Sequence, residues 1–395
     1  MAATPMDLEG GHSSSANLAR SGVNSMTHLD EIMNTFRPTK ASFSALSPTR
    51  LFRRDDGRDG RPVPHILSLD FDDPGELLMT SESDETIQIY SVREGRHDKS
   101  LLSKKYGAKL ARFTHLSSGI VYASTKQNDA IRYLATHDNS FIRYFEGHEN
   151  RVTDISMHPG NDTFISCSVD NTVRLWTLGT KQWVGQLFLN SPYLSAYDPS
   201  GQIFAVGCPS SGTVLLYDCR NFDKAPLGVF DVAATGRHTN HASLMRGWTK
   251  LEFSNDGKHL LVATNGDGHF LLDAFDGSLR AYLRLHRAGL SRVSRRLAPG
   301  ETPPTGGSTT FVSPHAESSG DCAFSVDGRF VLAGSGLDVA VWDVKKVAKD
   351  HPPVMEPTFV LEDGKRSAAV LAFNPRFNFF ATADTEVTFW MPDPH

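Results

Sequence analysis

One pattern recurs seven times along this 395-residue chain. An apolar run closes on an aromatic residue or Met, a polar turn with Pro, Asp or Gly follows, and a second apolar run begins. The copies read LDFDDPGELLMTS from Leu69, ARFTHLSSGIVYAS from Ala111, ISMHPGNDTFISCS from Ile155 and SAYDPSGQIFAVG from Ser195. Three more begin at Leu251 (LEFSNDGKHLLVAT), Cys322 (CAFSVDGRFVLAG) and Leu371 (LAFNPRFNFFATA). The landmarks Phe71, Phe113, Met157, Tyr197, Phe253, Phe324 and Phe373 are 42, 44, 40, 56, 71 and 49 residues apart. A self-similar unit of this size cannot bury its apolar face alone. It must stack on its neighbours, which leaves arrays, solenoids and rings as the available architectures.

Each copy is followed by a third short alternating run. These are TIQIYS, AIRYLA, TVRLWT, TVLLYD, HFLLDAF, VAVWDV and VTFWMP, the last ending at Pro392. Alternation over so few β-branched and aromatic residues predicts half-buried strands. A repeat of about 40–45 residues with several strands is the signature of propeller blades. The wider spacings are then blades carrying insertions. The third copy is the most complete, with Gly147-His148 before it, Asp170 in its second turn and Trp176 closing its third run. It resembles the WD-repeat family, in which such residues share a buried hydrogen-bond chain. Here His148, Ser166 or Ser168, Asp170 and Trp176 match those places, and a buried polar chain is tolerable only if every member is satisfied. The expected fold is all-β, a seven-bladed WD-repeat β-propeller over 31–394. The last copy leaves no room for a fourth strand. Arg50–Arg54 or Thr35–Phe43 is therefore expected to close the ring as the outermost strand of the last blade.

Residues 1–30 are read as a disordered tail, and 285–318 as an insertion between the fifth and sixth blades. The insertion holds Arg287, Arg292, Arg295 and Arg296 with Leu290, Val293 and Leu297 at helical spacing, so it is disordered or partly helical and basic. Forty basic against 45 acidic side chains give a net charge of −5, which argues against a dedicated nucleic-acid binder. No apolar run reaches the length of a membrane span, and the first residues lack the character of a secretory signal. The four cysteines show no Cys-x-x-Cys spacing, so no zinc site or disulfide framework is expected, and a reduced intracellular setting is. The two histidines His238 and His241 have no flanking ligands, and GETPPTGG from Gly300 lacks the Lys and Ser or Thr of a phosphate loop. No nucleophile–base pair or carboxylate dyad emerges, so neither a catalytic residue, a cofactor nor a metal is expected.

The run Asp129–Val152 is dense in Arg, Tyr and His, residue types favoured in protein contacts. With SKKYGAKLARFTH from Ser103, TFISCSVDNTVRLW from Thr163, YDCRNFDKAP from Tyr217 and FNPRFNFFATADTEVTFW from Phe373, it resembles the WD-repeat subunit of COMPASS histone lysine methyltransferase complexes, the WD repeat-containing protein 82 family. The likeness runs from about Arg50 to Pro394. It implies a non-catalytic, nuclear, chromatin-associated adaptor. Such an adaptor joins a SET-domain methyltransferase and other COMPASS subunits, and links them to phosphorylated C-terminal repeats of RNA polymerase II. It also implies a place in the cleavage and polyadenylation factor, acting in transcription termination, without membrane or sequence-specific nucleic-acid contact. Candidate partner-binding residues are Arg132, Tyr133, His137, Asp138, Arg143, Tyr144, Arg174, Arg220, Phe222 and Lys224. Arg132, Arg143 and Arg174 are those considered for phosphoserine. Tyr217-Asp218-Cys219-Arg220 is also similar to the Trp-Asp-x-Arg ending of substrate receptors of cullin-type ubiquitin ligases, which stands as the alternative reading.

Overall fold

A computed structural model describes residues 43–52, 63–234, 247–266, 268–285, 321–346, 354–363 and 367–392. Its strands form seven sheets, antiparallel save for one added strand, whose innermost strands touch in sequence order and return to the first, so the sheets are blades of a closed ring. Every landmark ends an innermost strand: Ile66–Phe71, Lys109–Phe113, Val152–Met157, Leu194–Tyr197, Trp248–Phe253, Cys322–Phe324 and Val370–Phe373. The second apolar run of each copy is the next strand outward, and the third alternating run the one after it. The polar turns after the first strands therefore all lie on one face of the ring.

The ring closes through Leu46–Phe52, the outermost strand of blade 7, which pairs antiparallel with Val387–Pro392 from Leu46↔Pro392 to Phe52↔Val387. The strand overlaps the first of the two expected segments. Phe43, from the second, is instead a buried plug whose ring lies 4.5 Å from Phe330 and 5.9 Å from Phe373. The expected ring boundary at residue 31, the tail, the helical spacing at Leu290–Leu297 and the pair His238/His241 lie outside the described residues.

Seven hydrophobic clusters hold the ring, one in each seam between neighbouring blades. This arrangement corrects one expectation. Third strands such as Thr86–Ser91 and Thr172–Thr177 are buried on both faces over five of their six residues, not half-buried. A blade is clamped between two others, so alternation there separates two seams rather than core from water. Blade 5 carries an unexpected fifth strand, Val354–Met355, parallel to its outer strand Leu279–Arg284 and fixed by Trp342 Nε1 donating to the Met355 carbonyl at 3.1 Å. The innermost strands surround a channel of about 610 Å³.

Candidate functional site

Blade 3 carries the polar chain. Trp176 Nε1 can only donate, and it does so to Ser166 Oγ at 2.8 Å. The Asp170 carboxylate beside Nδ1 can only accept, which leaves His148 Nε2 to accept from the Ser166 hydroxyl 2.7 Å away. The proton of neutral His148 sits on Nδ1, which donates to Asp170 Oδ2 at 3.0 Å. Asp170 also accepts from the Glu149 N–H at 2.9 Å and from Thr172 Oγ1 at 2.6 Å. Burial holds His148 below the ordinary histidine pKa despite Asp170. Burial alone would raise Asp170, but Thr172, the Glu149 N–H and His148 together hold it low. Ser168 does not bond His148; it donates to the Asn150 carbonyl at 2.9 Å and accepts the Asp170 N–H at 3.2 Å. The network ties the loop between blades 2 and 3 to the body of blade 3.

The Asp129–Val152 run divides into a surface part and an interior part. His137 and Asp138 sit exposed on a turn, where Ser140 hydrogen bonds hold the Asp138 carboxyl low. Arg143 is half-buried and Tyr144 exposed. Tyr133 is half-buried, its ring against Gly119, where a Cβ would come within 2.8 Å of it.

Arg132 and Arg174 require a correction: at 2% and 5% exposure they are not on the contact surface. The Arg132 guanidinium lies 3.4 Å from the Tyr106 ring centroid and 4.9 Å from Tyr144, and donates to Ser124 Oγ at 2.8 Å and Asn128 Oδ1 at 3.0 Å. Arg174 lies 4.2 Å from the Trp183 ring centroid, with Gly147 so close that a Cβ there would overlap the guanidinium. Both occupy the same place in their third strands and face the preceding seam, so stacking on aromatic rings replaces solvent as the partner of the charge. Phe222 is likewise used internally. Its ring covers the backbone of Gly185 in blade 3, which has no side chain to block it. Arg220 is exposed, and Lys224 Nζ donates to Asn221 Oδ1 at 3.0 Å.

Sequence reasoning missed a set of carboxylates lining the channel. Asp70 accepts the Phe113 N–H at 2.8 Å, Asp154 the Ser195 N–H at 2.7 Å, Glu252 the Phe324 N–H at 3.3 Å and Asp321 the Leu371 N–H at 2.9 Å. Each carboxylate belongs to one blade and each N–H to the next, so the innermost strands are stapled through side chains. Lys250 Nζ reaches Glu252 at 3.1 Å, Asp321 at 3.4 Å and the Cys322 carbonyl at 2.8 Å. Burial pushes Asp70 up to about 6, against the opposing pull of Arg112 and the Phe113 N–H. The opposite face is linked turn to turn. His115 joins Asp73 at 2.7 Å and the His158 carbonyl at 3.0 Å, His158 donates to the Gly201 carbonyl at 3.0 Å, and Asn374 to the Gly75 carbonyl at 2.9 Å. Among the described residues no three His, Cys, Asp or Glu side chains are grouped to hold a metal ion. These polar groups bind blade to blade.

The described geometry accords with comparisons to known proteins. The family description "WD domain, G-beta repeat" matches residues 139–177, the blade that carries the His148 chain. The chain is 34% identical over 346 residues to the Set1 complex component swd2 of Schizosaccharomyces pombe, covering 83% of this chain and 93% of that protein. It is 35% identical over 335 residues to the COMPASS component SWD2 of Saccharomyces cerevisiae, covering 83% and 91%. Against the WD repeat-containing protein 82 of Drosophila melanogaster the identity is 34% over 337 residues, covering 83% and 90%. With a closed seven-bladed ring and likeness over nearly the full length of all three relatives, the chain belongs to the Swd2/WD repeat-containing protein 82 family of WD-repeat proteins.

Proposed function

We propose that this protein is a non-catalytic scaffold subunit of a Set1/COMPASS-type histone lysine methyltransferase complex, acting in the nucleus on chromatin. The observation that carries the reading is the 34% identity that spans 93% of the Set1 complex component swd2. The ring supports it, because the polar clusters described above are structural and the outward surfaces are free to hold other chains. The proposal extends to coupling: the scaffold holds the SET-domain enzyme near transcribing RNA polymerase II, and also serves the cleavage and polyadenylation factor in termination. A tether of this kind acts by raising the enzyme's effective concentration at its substrate, without any new catalytic group. Of the three arginines considered for phosphoserine, only Arg143 keeps part of its surface in solvent.

Affinity purification of the tagged full chain from its own cells tests the assignment. Methyltransferase subunits should co-purify in stoichiometric amount, and cleavage-factor subunits in a separable pool. Recovery of cullin and its adaptor in their place would refute the reading. Titration of a serine-phosphorylated polymerase repeat peptide against the purified protein tests direct coupling. Binding of the methyltransferase without binding of this peptide makes recruitment indirect.

A further inference from the structure

Two histidines stand in neighbouring turns on the face where the blades are linked turn to turn, and their ring nitrogens meet different kinds of partner. In blade 3, His158 Nδ1 accepts the Gly160 and Asn161 N–H groups at 3.0 and 3.1 Å, and Nε2 faces the Gly201 carbonyl at 3.0 Å. One ring proton, on Nε2, suits all three of these contacts.

His115 in blade 2 is placed among acceptors. Its Nδ1 lies 2.7 Å from Asp73 Oδ2 in blade 1. Its Nε2 lies 3.0 Å from the His158 carbonyl and 3.1 Å from the Asn161 carbonyl, both in blade 3. An ionised carboxylate and a carbonyl only accept, so both nitrogens must donate, and only the imidazolium carries two ring protons. The His115 side chain is 26% exposed and that of Asp73 57%, so the charge keeps part of its hydration.

The charged and titratable groups on the turns around the ring are Asp72, Asp73 and Glu76 of blade 1, His158 and Asp162 of blade 3, and Arg376 of blade 7. Asp72 accepts from Ser117 Oγ and the Leu77 N–H at 2.8 Å each, and Glu76 pairs with Arg93 at 3.5 Å. Arg376 donates to the Asp73 carbonyl at 3.2 Å. Among the described residues, Asp73 is thus the ionised group that bonds the ring. The Asp73 hydrogen bond, working against partial burial, raises His115 above the ordinary histidine value.

We propose that His115 is an imidazolium clasp that holds the turns of blades 1, 2 and 3 together, and that its deprotonation releases the turn of blade 3. With one proton left, the Asp73 carboxylate is the stronger acceptor and keeps it on Nδ1. Nε2 then turns a lone pair toward two carbonyl oxygens, and that contact changes from attraction to repulsion. The clasp's stabilisation is full below the ordinary histidine pKa and is lost as pH rises through the raised value. This part of the face therefore loosens on the alkaline side. The device follows from bond directions and holds whichever complex the chain joins.

The full chain labelled with 15N-histidine provides the test. NMR should show both His115 nitrogens protonated at low pH, a midpoint above 6.5, and the remaining proton on Nδ1 beyond it. His115→Gln assigns the signals by their loss, and Asp73→Asn should lower the midpoint. Both side chains are part-exposed, and cooperative thermal melts would show that the variants fold. Hydrogen exchange, corrected for its intrinsic pH dependence, should show segment 158–163 losing protection about threefold to fivefold between about pH 6 and pH 8.5. The blade 6 turn 325–329 should not change, and His115→Gln should abolish the difference. The proposal is overturned by a midpoint at or below 6.5, by the last proton residing on Nε2, or by an unmoved midpoint in Asp73→Asn. It is also overturned if the pH-dependent exchange persists in His115→Gln or appears equally at 325–329.

Discussion

Ser166→Ala is the sharpest probe of the blade 3 network. The hydroxyl serves two buried neighbours at once, accepting from Trp176 Nε1 at 2.8 Å and donating to His148 Nε2 at 2.7 Å. Removing it leaves one donor and one acceptor stranded where the residue is fully buried. Each buried group left unsatisfied costs about 1–3 kcal/mol, so the loss should be about 2–6 kcal/mol. Ser168→Ala, two residues away and equally buried, removes a hydrogen bond to the Asn150 carbonyl and a longer one from the Asp170 N–H at 3.2 Å, strands no buried side chain, and should cost about 1 kcal/mol. Urea unfolding followed by Trp fluorescence compares the two, with equal slopes required before midpoints are converted to free energies. Equal costs for the two substitutions, or a cost under about 0.5 kcal/mol for Ser166→Ala, would refute a double role for the hydroxyl.

Three further outcomes are expected. Because burial raises Asp70 to about 6, the folded state holds that proton more firmly than the unfolded chain. Its contribution is therefore full below the ordinary aspartate pKa and is lost as pH rises through about 6. Asp70→Asn keeps an acceptor for the Phe113 N–H and removes this decline. Its stability relative to the parent should rise by up to about 3 kcal/mol between pH 4 and 7.5, and a constant difference across urea titrations would contradict the sign. Deleting residues 1–52 uncovers the edge at Val387–Pro392 and should lower the melting temperature and open blade 7 to protease, with partial recovery when Leu46–Phe52 is supplied as a peptide. An unchanged melt would show that the strand is dispensable. Arg132→Lys cannot keep both the Tyr106 stack and the bonds to Ser124 and Asn128. It should cost about 2 kcal/mol in thermal or urea melts, while the part-exposed Arg143→Lys stays within about 0.5 kcal/mol.

The ring was legible because its evidence is periodic. Seven landmarks fall at the same structural position, and no single copy had to be convincing. The closing strand was legible as a deficit, a blade short of one member. Other features depend on distances between blades, which a linear pattern does not contain. Alternation places Arg132 and Arg174 on a face of a strand but is silent on whether that face meets water or the next blade. Ser166 and Ser168 share a face, and only the approach of His148 separates them. Asp70, Asp154, Glu252 and Asp321 resemble any strand carboxylate until the next blade's N–H is seen beside each. Val354–Met355 is two residues long, too short for any periodicity to register.

The closure of blade 7 also sets an order of events during synthesis. Thr49 donates to the Phe389 carbonyl across 340 residues of chain. At about 5–20 residues per second, Leu46–Phe52 waits roughly 20–70 s for its partner to emerge. Until then the apolar seams flanking blade 7 have no lid, and any nascent chain stopped short of Val387–Pro392 stays an open arc with two sticky ends. Completion of the ring thus reports that Val387–Pro392 has been made, and partners that grip only a closed ring would never be captured by a product cut short before it.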